Sequence, residues 1–173
     1  MKQMLVVRIE RCLGCKTCEL ACAVEHSASR ELEKAARETP APQSRVHVMQ
    51  GSGFAAPLQC RQCEDASCVA ACPTGALLRH GQEEPVLLDR DRCIGCMWCV
   101  EACPFGVIAM DNGNGAVVKC DQCFERAQRG EPPVCVEACP TNALECQRLD
   151  AVVAEKRDAY LVRIERAAQE AAL

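Results

Sequence analysis

Residues 93–104 read Cys93-Ile94-Gly95-Cys96-Met97-Trp98-Cys99-Val100-Glu101-Ala102-Cys103-Pro104. Three cysteines recur at two-residue gaps, a fourth follows after three residues, and a proline comes next. A loop this tight turns three successive sulfurs inward around one edge of an iron–sulfur cluster. The fourth cysteine opens a helix aimed at a second cluster. Gly95 lets the backbone pass close to inorganic sulfide.

The same grammar runs through the chain. Cys12, Cys15, Cys18 and Cys22 repeat the spacing, with Gly14 in the place of Gly95. Cys60, Cys63, Cys68 and Cys72 follow with gaps of two, four and three residues, and Cys120, Cys123, Cys135 and Cys139 with gaps of two, eleven and three. Pro73 and Pro140 stand after the last cysteine of their groups, whereas Ala23 replaces proline after Cys22. Sixteen of the 17 cysteines are thus placed, and Cys146 is left over. Structural zinc would predict two C-x2-C pairs with a longer spacer, and would leave Cys18, Cys22, Cys99 and Cys103 without a role. Sixteen ligands divide into four complete sets of four. Every iron of four [4Fe–4S] clusters is then capped by a thiolate. Lewis-acid chemistry needs an open coordination position, so the division argues for electron transfer. Spacing alone permits two ways of pairing the groups.

Composition fits that reading. The 173 residues include only five aromatics, Phe54, Trp98, Phe105, Phe124 and Tyr160. A core of this size normally leans on large aromatic side chains. The clusters are expected to supply the missing bulk. The formal charge is −4, with no basic stripe to neutralise phosphates, so no nucleic-acid partner is expected. Residues 1–10 carry Lys2, Arg8 and Glu10 and show no signal-peptide pattern. No uncharged apolar run approaches the roughly 20 residues of a membrane span. Abundant reduced thiols point to the cytoplasm, with export in the folded state on a signal-bearing partner as the alternative.

Short hairpins separate the cysteine groups. Pro73 to Leu78, a polar turn over residues 81–85 and Val86-Leu87-Leu88 form one. Residues 106–110, a turn over 111–115 and Ala116-Val117-Val118 form the next. Pro140-Thr141-Asn142-Ala143-Leu144 echoes the start of the first, so the internal repeat includes the hairpins. Met4 to Ile9 is expected to be the first strand. An insertion of 37 residues separates Cys22 from Cys60. Within it residues 30–38 favour a helix, with Ser27 or Ser29 as N-cap and Pro40 as stop. Arg45-Val46-His47-Val48 alternates like a strand, and the remainder reads as loop that either meets a partner or has no role. Residues 150–173 contain no Gly or Pro and seven Ala. Leu149, Val153, Tyr160, Ile164 and Ala168 recur at helical spacing. A helix of about 24 residues would be roughly 36 Å long, too long for so small a domain to cover. Part of its apolar face is expected to pack on another polypeptide.

With these residues in hand, the chain resembles the four-cluster electron-transfer subunits of the dimethyl-sulfoxide-reductase and formate-dehydrogenase type. The short forms include the polyferredoxin-like subunit of tungsten aldehyde oxidoreductase and the ferredoxin-like partner of carbon monoxide dehydrogenase. The resemblance spans about residues 1–147. It rests on Cys12-Leu13-Gly14-Cys15-Lys16-Thr17-Cys18-Glu19-Leu20-Ala21-Cys22, the four-residue gap before Cys68, Cys93-Ile94-Gly95-Cys96-Met97-Trp98-Cys99, and Lys119-Cys120-Asp121-Gln122-Cys123 with its long gap to Cys135.

The resemblance implies an α+β fold: two pseudo-symmetric bacterial dicluster ferredoxin-like units with short hairpins and helices, plus a C-terminal α-helix. Residues 1–148 would form the four-cluster domain, with 23–59 as its insertion. Residues 149–173 would form a helix for a partner or for self-association. The resemblance also implies four ligand sets. Cys12, Cys15, Cys18 and Cys139 form one, and Cys120, Cys123, Cys135 and Cys22 the next. Cys60, Cys63, Cys68 and Cys103 form the third, and Cys93, Cys96, Cys99 and Cys72 the fourth. The implied function is non-catalytic. Single electrons would pass along four [4Fe–4S] clusters between a catalytic oxidoreductase subunit, a tungsten or nickel–iron enzyme, and an electron-accepting subunit. Aldehyde oxidoreductase comes first and carbon monoxide dehydrogenase second. The alternative is a freely diffusing polyferredoxin.

Other residues receive plainer expectations. Trp98 is expected to pack over its cluster and exclude water, and Cys146 to be a small buried hydrophobe. Lys16, Arg61 and Lys119 lie in or beside cluster loops, where they are either solvated charges or raise local potentials. His26, His47 and His80 read as isolated. Gly51-Ser52-Gly53 lacks the rest of a dinucleotide fingerprint, so no flavin or nicotinamide site is expected. Each oxidised cluster with four thiolates carries −2, so the loaded protein would carry about −12, and a partner should offer a basic surface.

Overall fold

The computed structural model describes residues 3–81, 83–113 and 115–171. Gln82 and Asn114 of the expected turns, Met1 and Lys2, and Ala172 and Leu173 of the expected tail lie outside the described residues. The architecture is α+β, with short helices, two-stranded antiparallel sheets and a long C-terminal helix.

β1 (Gln3–Val7) pairs with β8 (Leu144–Arg148), so the first and last strands close the cysteine-bearing part of the chain on itself. The strand stops short of the expected Ile9. The Arg8 N–H donates to the Ala143 carbonyl at 2.8 Å, and a 3-10 turn over Ile9–Arg11 bends the chain into the first cysteine loop. α1 (Thr17–Glu25) then carries Cys18 and Cys22 on its buried side.

The insertion differs most from expectation. The helix expected over residues 30–38 shrinks to α2 (Leu32–Ala35), and neither Ser27 nor Ser29 caps it. Ser27 Oγ accepts from the Arg30 N–H at 2.9 Å, and the Glu38 carboxylate accepts from Ala28 and Ser29. Side chains close turns here that a longer helix would have opened. Beyond it the reading of loop is overturned by a second strand. β2 (Val46–Gln50) pairs with β3 (Ala55–Gln59), and Val46, Val48 and Ala55 are buried. Pro57 and two alanines made β3 illegible, because strand sequences favour β-branched residues and avoid proline. The insertion is therefore part of the core rather than a free loop.

The two expected hairpins are present: β4 (Leu77–Leu78) with β5 (Leu87–Leu88), and β6 (Ala109–Met110) with β7 (Val117–Val118). Before each of them lies a short helix, α3 (Ser67–Ala70) and α4 (Trp98–Glu101). After the second come α5 (Phe124–Gln128) and α6 (Val134–Glu137). α1 packs on α6, and α3 on α4.

These pairings build two cores. One joins Cys18, Cys22 and Cys135 to Val46, Val48, Ala55 and Leu144. The other joins Cys99 to Leu77, Val86, Ile108 and Val117, with Cys68, Cys72, Cys93 and Cys103 against it. Cysteine is a structural component of both. Phe54, Trp98, Phe105 and Tyr160 are exposed, and Phe124 belongs to neither core.

α7 (Leu149–Ala171) leaves the body at β8. Val152 is buried at its root, and Glu155 pairs with Arg8. Leu149, Val153, Tyr160, Ile164 and Ala168, the expected stripe, are all exposed. No helix among the described residues is long and apolar enough to cross a membrane.

Candidate metal centres

Each cysteine loop is shaped by backbone in the left-handed region. Gly14 (φ +69) and Gly95 (φ +65) open the first and third loops. A Cβ at Gly95 would stand 2.3 Å from the Gly115 carbonyl oxygen, so only glycine fits there. The turn also falls on Lys16, Gln62, Met97 and Gln122, all with positive φ. It wraps the backbone so that N–H groups face sulfur. Gln62 and Gln122 donate to Cys60 and Cys120 Sγ at 3.4 Å, and Ala143 donates to Cys139 Sγ at 3.2 Å.

The fold brings distant groups together. Cys139 lies within electrostatic reach of Cys15 and Cys18. Cys12 and Cys139 pack against the same core. Cys22 acts on Cys120, Cys123 and Cys135. Cys103 and Cys60 both act on Cys68, while Cys63 is half-buried on the same loop as Cys60. Cys72, Cys93, Cys96 and Cys99 line one pocket, beside Gly95, Leu77 and Val117. Two electrostatic couplings link these groupings: Cys18 acts on Cys135, and Cys68 on Cys99.

Burial makes four of these poor free thiols, whereas hydrogen bonds outweigh it and lower Cys15, Cys22, Cys72 and Cys139. Burial drives Cys135 and Cys120 well above the ordinary thiol range, and pushes Cys18 and Cys123 up to about 11. A coordinating thiol is deprotonated outright by its metal, which removes that penalty. The structure tests the fit of such a group in a second way. Gln59, directly before Cys60, is 2% exposed, and neither its Nε2 nor its Oε1 finds a partner among the described residues. A buried amide with no protein partner is rare, and a donor beside a cysteine loop suits an acceptor sulfur. The donor sets and the orphaned amide both fit [4Fe–4S] groups.

Sequence reasoning missed one network. His26 reads as isolated in the sequence, yet it sits against the cysteines. Its Nδ1 lies 2.8 Å from the Cys22 carbonyl and 3.7 Å from Cys22 Sγ, and its Nε2 lies 3.4 Å from Asp121 Oδ1. Asp121 also binds Arg45 Nη1 at 2.6 Å and accepts from the Cys123 N–H at 3.0 Å. The Arg45 N–H reaches Cys22 Sγ at 3.2 Å. Burial pulls the His26 pKa down, but bonds to Asp121 and Cys22 outweigh it and raise it to about 9. Burial likewise opposes the Asp121 charge, but His26 and Arg45 hold the carboxyl well below the usual carboxylate range. His26, Asp121 and Cys123 could together approach a metal ion, but Asp121 is already committed to Arg45 and the Cys123 N–H. His80 and His47 join no such group among the described residues.

Trp98 is 62% exposed, and Ile94 on the same loop 68%. Two further expectations change. Cys146 is half-buried rather than buried, and donates to Gln3 Oε1 at 3.3 Å. Lys119 is not a solvated charge: it is 3% exposed. Lys16 and Arg61 are exposed.

Four cysteine groups on short helices and hairpins, with ten of their sixteen cysteines in or against two cores, define an iron–sulfur electron-transfer protein holding four [4Fe–4S] clusters. This protein belongs to the 4Fe-4S dicluster domain family: one family model of that description matches residues 52–149 and a second matches residues 11–77. It is 41% identical over 162 residues to an "Iron-sulfur protein" of Rhodospirillum rubrum, covering 87% of this sequence and 84% of that one. It is 37% identical over 175 residues to the electron transport protein HydN of Escherichia coli, covering 91% and 96%. Against the thiosulfate reductase electron transfer subunit PhsB of Salmonella typhi the identity is 38% over 142 residues, covering 82% and 73%.

Proposed function

We propose that this chain is the non-catalytic electron-transfer subunit of an oxidoreductase complex, working between a catalytic subunit and an electron acceptor. The observation that carries this is the complete division of sixteen cysteines into groups whose sulfurs converge in the fold. The relative named as an electron transfer subunit of thiosulfate reductase supports it.

The ligand sets are those the resemblance implies: Cys12, Cys15, Cys18 and Cys139; Cys22, Cys120, Cys123 and Cys135; Cys60, Cys63, Cys68 and Cys103; Cys72, Cys93, Cys96 and Cys99. The thiol neighbours described above support each set. When bound, a [4Fe–4S] group supplies a one-electron couple. The protein's own part is to hold four such groups, keep water from them with Leu77, Val86, Val117 and Leu144, and direct backbone N–H groups at sulfur. The Cys18–Cys135 and Cys68–Cys99 couplings support placing the Cys12 set beside the Cys22 set and the Cys93 set beside the Cys60 set, and the Gln62–Cys120 hydrogen bond supports joining the Cys60 and Cys22 sets in the middle. Cys15 and Cys96, one in each end set, are also the exposed cysteines.

Residues 1–148 form the cluster domain in this reading, with two pseudo-symmetric dicluster halves, and residues 149–173 a docking helix. The unpartnered apolar face of α7 favours a dedicated subunit over the second reading, a freely diffusing polyferredoxin. The enzyme served is proposed to be an aldehyde oxidoreductase, or failing that a carbon monoxide dehydrogenase, in the cytoplasm. Anaerobic co-purification, with identification of the bound subunit and its metal, tests this. A tungsten- or nickel-bearing partner supports it. A monomer that recovers no catalytic subunit, and elutes alone with an ordered tail, refutes the dedicated-subunit reading.

A further inference from the structure

Lys119 is 3% exposed, deep between the two cores. Its Nζ donates to the Val86 carbonyl at 2.6 Å and to the Cys120 carbonyl at 2.8 Å. Among the described residues no carboxylate pairs with it. Val86 belongs to the core around Cys99, and Cys120 to the group that meets Cys22. Gln62 spans the same gap. Its Nε2 donates to the Cys120 carbonyl at 2.9 Å, and its Oε1 accepts from the Val86 N–H at 2.8 Å. Lys119 and Gln62 thus join the two halves through the same pair of residues.

An ammonium buried without a counter-charge is costly. Carbonyl oxygens satisfy its hydrogens but not its charge. The clusters, each −2 when oxidised and more negative when reduced, would supply anions on either side of it. Burial pushes the Cys68 and Cys120 thiols up, and the Lys119 charge opposes it at both. That charge therefore reaches one sulfur on either side of the junction.

We propose that Lys119 is a potential-setting residue: a fixed buried cation shared by the two middle clusters, which favours their reduced states and leaves the two end clusters nearly untouched. The assignment rests on the ligand sets proposed above. Between like-charged neighbours, a cation at the junction also lessens the repulsion that an electron meets when it crosses from one half to the other. Lys16 and Arg61, being exposed, are screened by solvent and lack this reach.

The test is an EPR-monitored redox titration of the anaerobically prepared full-length protein, with iron counted on every sample. Lys119→Gln removes the charge but keeps amide donors for the two carbonyls, and Lys119→Arg keeps the charge. The expected result is that K119Q lowers the midpoint potentials of two clusters and leaves two at their wild-type values. Full iron loading in K119R with lost loading in K119Q also supports the role, since charge rather than hydrogen bonding is then what the assembled clusters need. K119Q with full iron and four unchanged potentials overturns it, as does an equal fall in all four. Loss of clusters in both variants overturns it too, because the site then demands only the lysine shape. Wild-type protein without four clusters would instead remove the reading on which the proposal stands.

Discussion

Arg45 Nη1 binds Asp121 Oδ2 at 2.6 Å, across 76 residues of sequence. Arg45 comes from the insertion after the first cysteine group, and Asp121 from the loop of the fourth. The same aspartate holds His26 and the Cys123 N–H, so one carboxylate fixes three segments around Cys22. Asp121→Asn should keep the shape, weaken the bonds to Arg45 and His26, and leave iron content unchanged. The expected loss is about 2 kcal/mol, a fall of several degrees in the thermal midpoint of the loaded protein. Circular dichroism melts measure it, and a wild-type midpoint would show that the network contributes nothing.

Glycine substitutions separate strain from obstruction. Gly75 has φ +64 with open space around its Cβ position, whereas Gly95 has φ +65 with a carbonyl oxygen 2.3 Å away. Gly75→Ala should therefore cost about 1 kcal/mol and keep full iron. Gly95→Ala must displace the loop that carries Cys93 and Cys96, so its iron should fall by roughly a quarter. Equal iron in the two variants would refute the distinction.

Cysteine counting makes a sharper contrast. Cys135→Ala removes a ligand in the buried set around Cys22, and should lower iron by up to about a quarter. Cys146→Ala removes only a half-buried thiol bonded to Gln3, and should keep full iron. A deficit in the Cys146 variant would mean that the seventeenth cysteine holds metal.

The tail tests assembly. α7 is anchored by Val152 and the Arg8–Glu155 pair at its root, and its apolar stripe lies open. Deleting the residues after Leu149 should leave iron and optical spectra unchanged and reduce recovery of the catalytic subunit in pull-downs. Loss of iron on deletion would place the helix in the cluster core instead.

Much of this was legible because cysteine spacing encodes a loop directly. The groups, the two hairpins and the long helix follow from patterns within a few residues of one another. What escaped the sequence was carried by long-range or non-glycine features. The left-handed turns at Lys16, Gln62, Met97 and Gln122 have no glycine to announce them. β3 hid behind Pro57 and two alanines. His26 gained its role from Asp121, 95 residues on, which no local pattern could pair with it. The cores are filled by aliphatic side chains and cysteines, with no aromatic residue among their buried members.

The sixteen grouped cysteines make this protein a carrier of single electrons. Anaerobic reductive titration of the purified protein tests that claim most directly, by counting the electron equivalents taken up per polypeptide. Four are expected, with about sixteen iron and sixteen sulfide present. Uptake of none, in a colourless protein with near-zero iron, would contradict it.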